Sequence, residues 1–274
     1  MANLNPQRGE TVPFVDAIIR YSERAADGGT IFENGKYTFK MEDHTMRIRN
    51  ARLADTSFEK NGFTLLKHRT DANLRDQADV ERRYYPEVKR IIKELTGAKE
   101  VIAFLGTLRG GEEVAAGGPA LSAHVDFTAA GIHEWIDQLL PDRAAELKKS
   151  RLVNINLWRP LKPVENMPLA LCDKSSIDRR DFLRVNYGST VNGNVVINGG
   201  GLNTAYNPKH HWYYYPHMQT DEVLAFALFD TGDPDWHMTA HTAFEDPTSV
   251  SGAPKRVSYE VRTIAIFDTP SRVS

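Results

Sequence analysis

The second half of the chain constrains the fold most. From Arg151 onward it offers short alternating stretches and no helix to carry it between parallel strands. Val153, Ile155 and Leu157 alternate with Asn154, Asn156 and Trp158, and in a strand residues two apart share a face. Further strands are expected at 182–187, 195–198, 211–215, 223–229 and 256–267, with Gly, Pro, Asn and Asp between them. Parallel neighbours need crossovers of a dozen or more residues, usually a helix, so a parallel α/β sheet is disfavoured. Early helices followed by many short strands fit a sandwich or barrel braced by helices.

The helical signals lie upstream. Val80, Tyr84, Val88, Ile91, Ile92 and Leu95 recur at three to four residues, which predicts a helix over 76–96 ended by Gly97 and kinked near Tyr85 by Pro86. This helix reads as a brace on the β core or part of a homodimer contact. A second helical region is expected over 131–148, with a new helix starting at Pro141. Asn34-Gly35 predicts a hairpin within 28–50, and Val101–Leu108 reads as a strand. No repeat or long linker interrupts the chain, so one domain over 1–274 is expected, with the hairpin and helices in 1–100.

Composition excludes several functions. The 274 residues carry a net charge of −2, so no general basic field is available for nucleic acid or an anionic membrane. The single cysteine, Cys172, can form neither an internal disulfide nor a thiolate cluster and reads as a small buried hydrophobe. No run approaches the roughly 20 apolar residues that span a bilayer, and Met1–Glu10 is polar. A cytoplasmic protein without membrane or nucleic-acid partners is expected.

The stretch richest in chemistry is His124-Val125-Asp126. On a strand its imidazole and carboxylate point the same way and can meet one ion. A second histidine would complete a two-histidine, one-carboxylate set with open positions for oxygen and a co-substrate. An isolated His-X-Asp is weak evidence, because it also occurs by chance on surface loops. His241 is the candidate third ligand. His237, four residues earlier, would suit zinc on a helix, but Gly232, Pro234 and Pro247 surround the pair. His210, His211 and His217 flank an aromatic strand and read as structural or substrate-facing. Arg256, Ser258, Glu260 and Arg262 share one face of a strand, and an inward arginine suits a dicarboxylate. A solvated edge strand with paired charges fits the same pattern. Asn156 and Trp158 share a face that could line a cavity, although Trp158 also suits the core. Tyr187, Tyr206 and Tyr214 are substrate contacts or packing residues, and Gly199-Gly200-Gly201 reads as a flexible loop.

Several ordered segments together resemble the hydroxylase/desaturase family of iron(II)/2-oxoglutarate oxygenases. They include Asn61-Gly62-Phe63, Tyr84-Tyr85-Pro86-Glu87, His124-Val125-Asp126 and Asn156-Leu157-Trp158-Arg159-Pro160-Leu161. They continue through Pro168–Asp173, His211-Trp212-Tyr213-Tyr214, His241-Thr242-Ala243-Phe244 and Arg256–Arg262. The resemblance implies a mainly β protein with flanking helices, its double-stranded β-helix (jelly-roll) core spanning about 101–268. It implies Fe(II) on His124, Asp126 and His241, with 2-oxoglutarate and O2 as co-substrates. It places the distal carboxylate of 2-oxoglutarate on Arg256 and Ser258. Arg256 lies fifteen residues after His241, a long gap, so Arg262 is the alternative. The implied reaction oxidises an unactivated C–H of a small metabolite by hydroxylation, desaturation or oxidative ring closure, in specialised metabolism. Surplus arginine suits an amino acid or peptide-like acid, with Asn156, Trp158 and Arg262 as substrate contacts. The competing readings are a zinc-type metallohydrolase on the same ligands and a non-catalytic jelly-roll binder.

Overall fold

The computed structural model describes residues 12–33, 35–110, 118–192 and 194–272, apart from the side chain of Asn198. Fourteen strands are described. They are β1 Phe14–Ser22, β2 Gly29–Phe32, β3 Met41–Asn50, β4 Phe63–Lys67, β5 Glu100–Arg109, β6 His124–Val125 and β7 Ser150–Pro160, followed by β8 Leu169–Cys172, β9 Phe182–Val191, β10 Asn194–Thr204, β11 Trp212–Tyr214, β12 Glu222–Asp230, β13 His241–Ala243 and β14 Ser258–Pro270. Nine of them form one sheet in the order β1-β3-β11-β8-β13-β6-β10-β9-β2, and five form a second, β4-β12-β7-β14-β5. The two sheets enclose the main apolar core, as expected for a mainly β jelly roll.

The centre of the small sheet explains the alternation that singled out 151–158. Val153, Ile155 and Leu157 pack outward with Val88, Ile91 and Ile92 of helix α1, Tyr85–Thr96. Leu152 and Trp158, on the opposite face, pack into the core between the sheets. The two polar residues between them, Asn154 and Asn156, are fully buried. The apolar row of β7 therefore faces the helix, and the polar row faces the interior where the site lies.

Pro86 lies in the first turn of α1, where the expected kink or break takes the form of a change of helix type. It removes one backbone donor from the helix ladder, and the chain takes a π-helical turn over Val80–Tyr84 before α1 begins. Asp76 caps the preceding turn, and Gly97, at φ +69°, ends α1. Helix α2, Ala129–Leu139, is capped by Thr128 Oγ1, which accepts from Gly131 N at 3.1 Å. The new helix at Pro141 is a short turn, Pro141–Arg143, leading into Ala144–Leu147.

Two expectations are corrected. The hairpin closes only locally, where Phe32 N donates to Lys36 O at 2.7 Å and Thr38 N to Thr30 O at 3.0 Å; Asn34 lies outside the described residues. Residues 41–50 instead pair with β1 along its whole length, and β2 runs parallel to β9. The longer ladder buries Val15, Ala17 and Ile19 with Met46 and Ile48, which a turn signal alone does not reveal. Gly199–Gly201 is not a loop but lies in β10, just past a register shift between Ile197 and Gly199. A Cβ on Gly201 would fall 2.3 Å from Tyr187 Oη, so glycine is needed there for close packing. Among the described residues, no helix is long and apolar enough to cross a membrane.

Candidate active site

The short strands β6 and β13 bring the site together. His124 and His241 are register partners across them, with ring centroids 4.3 Å apart. Asp126 follows two residues after His124. One ligand atom from each of the three lies within 4.8 Å of the others. Ser122 O lies 2.7 Å from His124 Nδ1. A carbonyl only accepts, so Nδ1 carries the proton and Nε2 presents its lone pair, 3.5 Å from Asp126 Oδ1. His241 is buried, and its Nδ1 has no hydrogen-bond partner among the described residues. Burial first, then the neighbouring His124, pushes the His241 pKa down to about 3, so the ring is neutral at physiological pH.

The other carboxylate oxygen of Asp126 is occupied. Asn156 Nδ2 and Arg262 Nε each donate to Oδ2 at 2.9 Å. Burial alone would raise the Asp126 pKa. The Arg262 charge, helped by His124 and His241, outweighs it and holds the carboxyl well below the usual range. Arg262 also donates to Thr107 Oγ1 at 3.1 Å and sits 2.8 Å from Glu260 Oε1, an ion pair without hydrogen-bond geometry. Asn156 and Arg262, expected to meet substrate, are thus engaged with Asp126. Their strand positions share an interior face, and Asp126 reaches them first. Arg262 is equally committed as regards the alternative role of gripping 2-oxoglutarate.

The three residues line a narrow recess together with Arg109, Trp158, Arg256 and Glu260 among others. Trp158 lines it while remaining almost wholly buried, and Arg256 sits 5.2 Å from the Trp158 ring centroid. Arg256 Nη1 donates to Met167 O at 2.6 Å. Burial, then the like charge of Arg109, lowers the Arg256 pKa to about 10, so the side chain stays cationic at neutral pH. Ser258 Oγ is buried and has no partner among the described residues. Buried polar atoms are nearly always bonded, so this hydroxyl fits a bound group that accepts from it.

The remaining candidates lie elsewhere. His210 is held inside the large sheet by Asp181 and Tyr21, at 3.2 Å each. His237 is exposed and bonds Asp233. His211 is exposed, and His217 lies in a turn at φ +49°. Tyr206 stacks on His44, and Tyr214 packs edge-on against Phe244. Tyr187 is near the site, its pKa raised by burial and then by Asp126. Cys172 is fully buried and its thiol pKa is pushed up by that burial. Arg159 points to the other face of β7, where it bonds Tyr84 and His68. Sequence reasoning missed Arg109, which lies one residue past the expected strand end. Its place in the site follows from the pairing of β5 with β14, which no local sequence signal gives.

Two imidazoles and one carboxylate lining a narrow recess, on a jelly-roll scaffold, define the class of mononuclear non-haem iron oxygenases. The comparisons with known proteins agree. A family model described as an oxidoreductase/YMDC permease-like domain matches residues 19–266. Hydroxylase/desaturase efuI of Hormonema carpetanum is 31% identical, across 95% of this chain and 97% of its own. Alpha-ketoglutarate-dependent dioxygenase phiK of a fungal species is 28% identical across 92% and 96%. The solved structure of the iron and alpha-ketoglutarate-dependent endoperoxidase NvfI superposes with a TM-score of 0.84, at 24% identity, over 93% of this chain and 98% of that one. The chain belongs to the hydroxylase/desaturase family of Fe(II)/2-oxoglutarate-dependent oxygenases.

Proposed function

We propose that this chain, as one oxygenase domain, oxidises an unactivated C–H of a small metabolite in specialised metabolism. His124, Asp126 and His241 hold Fe(II), and Arg256 with Ser258 anchors the distal carboxylate of 2-oxoglutarate. The observation that carries this reading is the convergence of three ligand atoms within 4.8 Å in a recess with a buried cationic Arg256 and an unpartnered Ser258 hydroxyl close by. A metallohydrolase needs a metal-bound water and neither 2-oxoglutarate nor O2.

Bound Fe(II), with 2-oxoglutarate and O2, supplies an oxidant able to remove a hydrogen atom from an unactivated carbon. The side chains prepare the site for it. The Ser122 carbonyl fixes the His124 tautomer. Asn156 and Arg262 hold Asp126 Oδ2, which leaves Oδ1 as the free donor on the His124 side. His241 is kept uncharged, so no proton has to leave it before it binds a cation. Arg256 orients a carboxylate bidentately, and Trp158 walls the cavity against water. The same oxidising chemistry would serve hydroxylation, desaturation or ring closure, according to the substrate held against it. The name of the Hormonema relative, hydroxylase/desaturase, supports keeping hydroxylation and desaturation together. The protein acts in the cytoplasm on a diffusible substrate.

The test is turnover. Fe(II)-loaded protein should consume O2 and form succinate only when 2-oxoglutarate is present, with Zn(II) inactive. Hydrolytic activity with Zn(II), and none with Fe(II) and 2-oxoglutarate, would sink the proposal.

A further inference from the structure

We propose that Arg109 anchors an anionic group, a carboxylate above all, on the substrate; the inference rests on the iron/2-oxoglutarate reading above. Arg109 closes β5, and its register partner on β14 is Ser258. Directly opposed residues of an antiparallel pair share a face. The guanidinium therefore stands next to the expected co-substrate anchor, in the wall of the same recess. Gly110 fixes it there. Its φ is +78°, and a Cβ at that position would lie 2.0 Å from the Arg256 carbonyl oxygen. The end of β5 is thus packed directly against the Arg256 backbone.

Charge counting gives Arg109 its role. Arg262 lies between Asp126 and Glu260 and pairs with both. Those three groups sum to one negative charge, which Arg256 offsets. Fe(II) and the dianion of 2-oxoglutarate cancel each other, and the two histidines are neutral as ligands. Among the described residues, Arg109 is the charge left over. Among the described residues it has no ion pair or hydrogen bond, and its nearness to Arg256 helps to lower that residue's pKa. A cation in a partly dry recess without a counter-ion is unfavourable, and the planar guanidinium fork matches a carboxylate. The sequence pointed to Arg262 for an acidic substrate; Arg262 is already paired, and Arg109 takes that role in its place.

The experiment is a calorimetric titration under anaerobic conditions. The Fe(II)/2-oxoglutarate-loaded protein is titrated with hexanoate and with hexanamide, which differ in charge but little in shape. The parent should bind the acid at least tenfold more tightly than the amide. R109Q should lose that preference, a drop of roughly 10- to 100-fold for the acid. R109K should keep part of it. Equal affinity for acid and amide, a preference that survives in R109Q, or no binding of either would overturn the proposal. So would an R109Q variant whose 2-oxoglutarate affinity falls as far as that of R256Q, because Arg109 would then belong to the co-substrate. A separate titration of the parent with 2-oxoglutarate comes first. Failure at that step would instead defeat the iron/2-oxoglutarate reading, and this inference with it.

Discussion

Replacing Arg262 with methionine is expected to destabilise the metal-free protein by about 3–5 kcal/mol at neutral pH, the usual cost of stranding one partner of a buried ion pair. Arg262 and Asp126 are almost wholly enclosed, so little solvent screens the loss. Methionine fills much of the arginine stem's volume, which keeps the cavity contribution small. Asn156 still donates to Asp126, which limits the cost, while Glu260 loses its partner too. The pH dependence gives the sharper test. In the parent, Arg262 overcomes burial and depresses the Asp126 pKa. That stabilisation is therefore present above the unfolded value of about 3.9 and is lost as pH falls through the folded value. In the variant only burial and weaker partners remain, and the carboxyl pKa rises. Its stability then declines as pH climbs from about 4 toward neutrality. The gap between parent and variant should widen from pH 4.5 to pH 7.5. Urea denaturation of chelator-treated protein at both values measures it. A gap below about 1 kcal/mol at pH 7.5, or an equal gap at both values, would refute the argument from the buried ion pair.

Three more predictions concern other parts of the site. R256Q should weaken 2-oxoglutarate binding roughly 10- to 100-fold and S258A only several-fold, read by equilibrium titration, because one removes a charge-assisted contact and the other a neutral one. His241 has a folded pKa of about 3 against an unfolded value near 6.5, so it contributes stability above about pH 6.5 that is lost as pH falls toward 3. H241Q should accordingly show a flatter loss of stability across that window in acid titrations followed by circular dichroism. G201A should lower the melting temperature, at a cost of roughly 1–3 kcal/mol, because the added methyl would meet Tyr187 Oη at 2.3 Å; pairing it with Y187F, which frees that space, should recover part of the loss.

The parts of this protein legible in its sequence are those set by local periodicity. The two-residue spacing of His124 and Asp126 is met by β6 and the residue just past its end, which bring the two ligand atoms together. The helical repeat around Val88 and Ile92 becomes the brace behind β7, and Pro86 marks its π turn. The alternation in β7 also identified the interior row, although its inward residues include the polar Asn154 and Asn156. What was not legible depends on register between distant strands. Nothing in the spacing of Asn156, Arg262 and Asp126 says that β7 and β14 align the first two on one carboxylate oxygen of the third. Met41–Asn50 left its local hairpin because β1 offered a longer apolar ladder. The Gly199–Gly201 run reads as flexible, yet close approach to Tyr187 and Val185 makes it part of a strand. Arg109 became visible only when β5 was paired with β14.

The central claim is that His124, Asp126 and His241 would hold iron(II) and Arg256 would grip 2-oxoglutarate beside it. It is tested most directly by titrating metal-free protein anaerobically with Fe(II) and then 2-oxoglutarate while recording visible absorption, beside H124A and R256Q. The account predicts a weak charge-transfer band in the parent, none in H124A, and one in R256Q only at much higher 2-oxoglutarate. No band in the parent, together with calorimetry showing that 2-oxoglutarate does not bind, would contradict it.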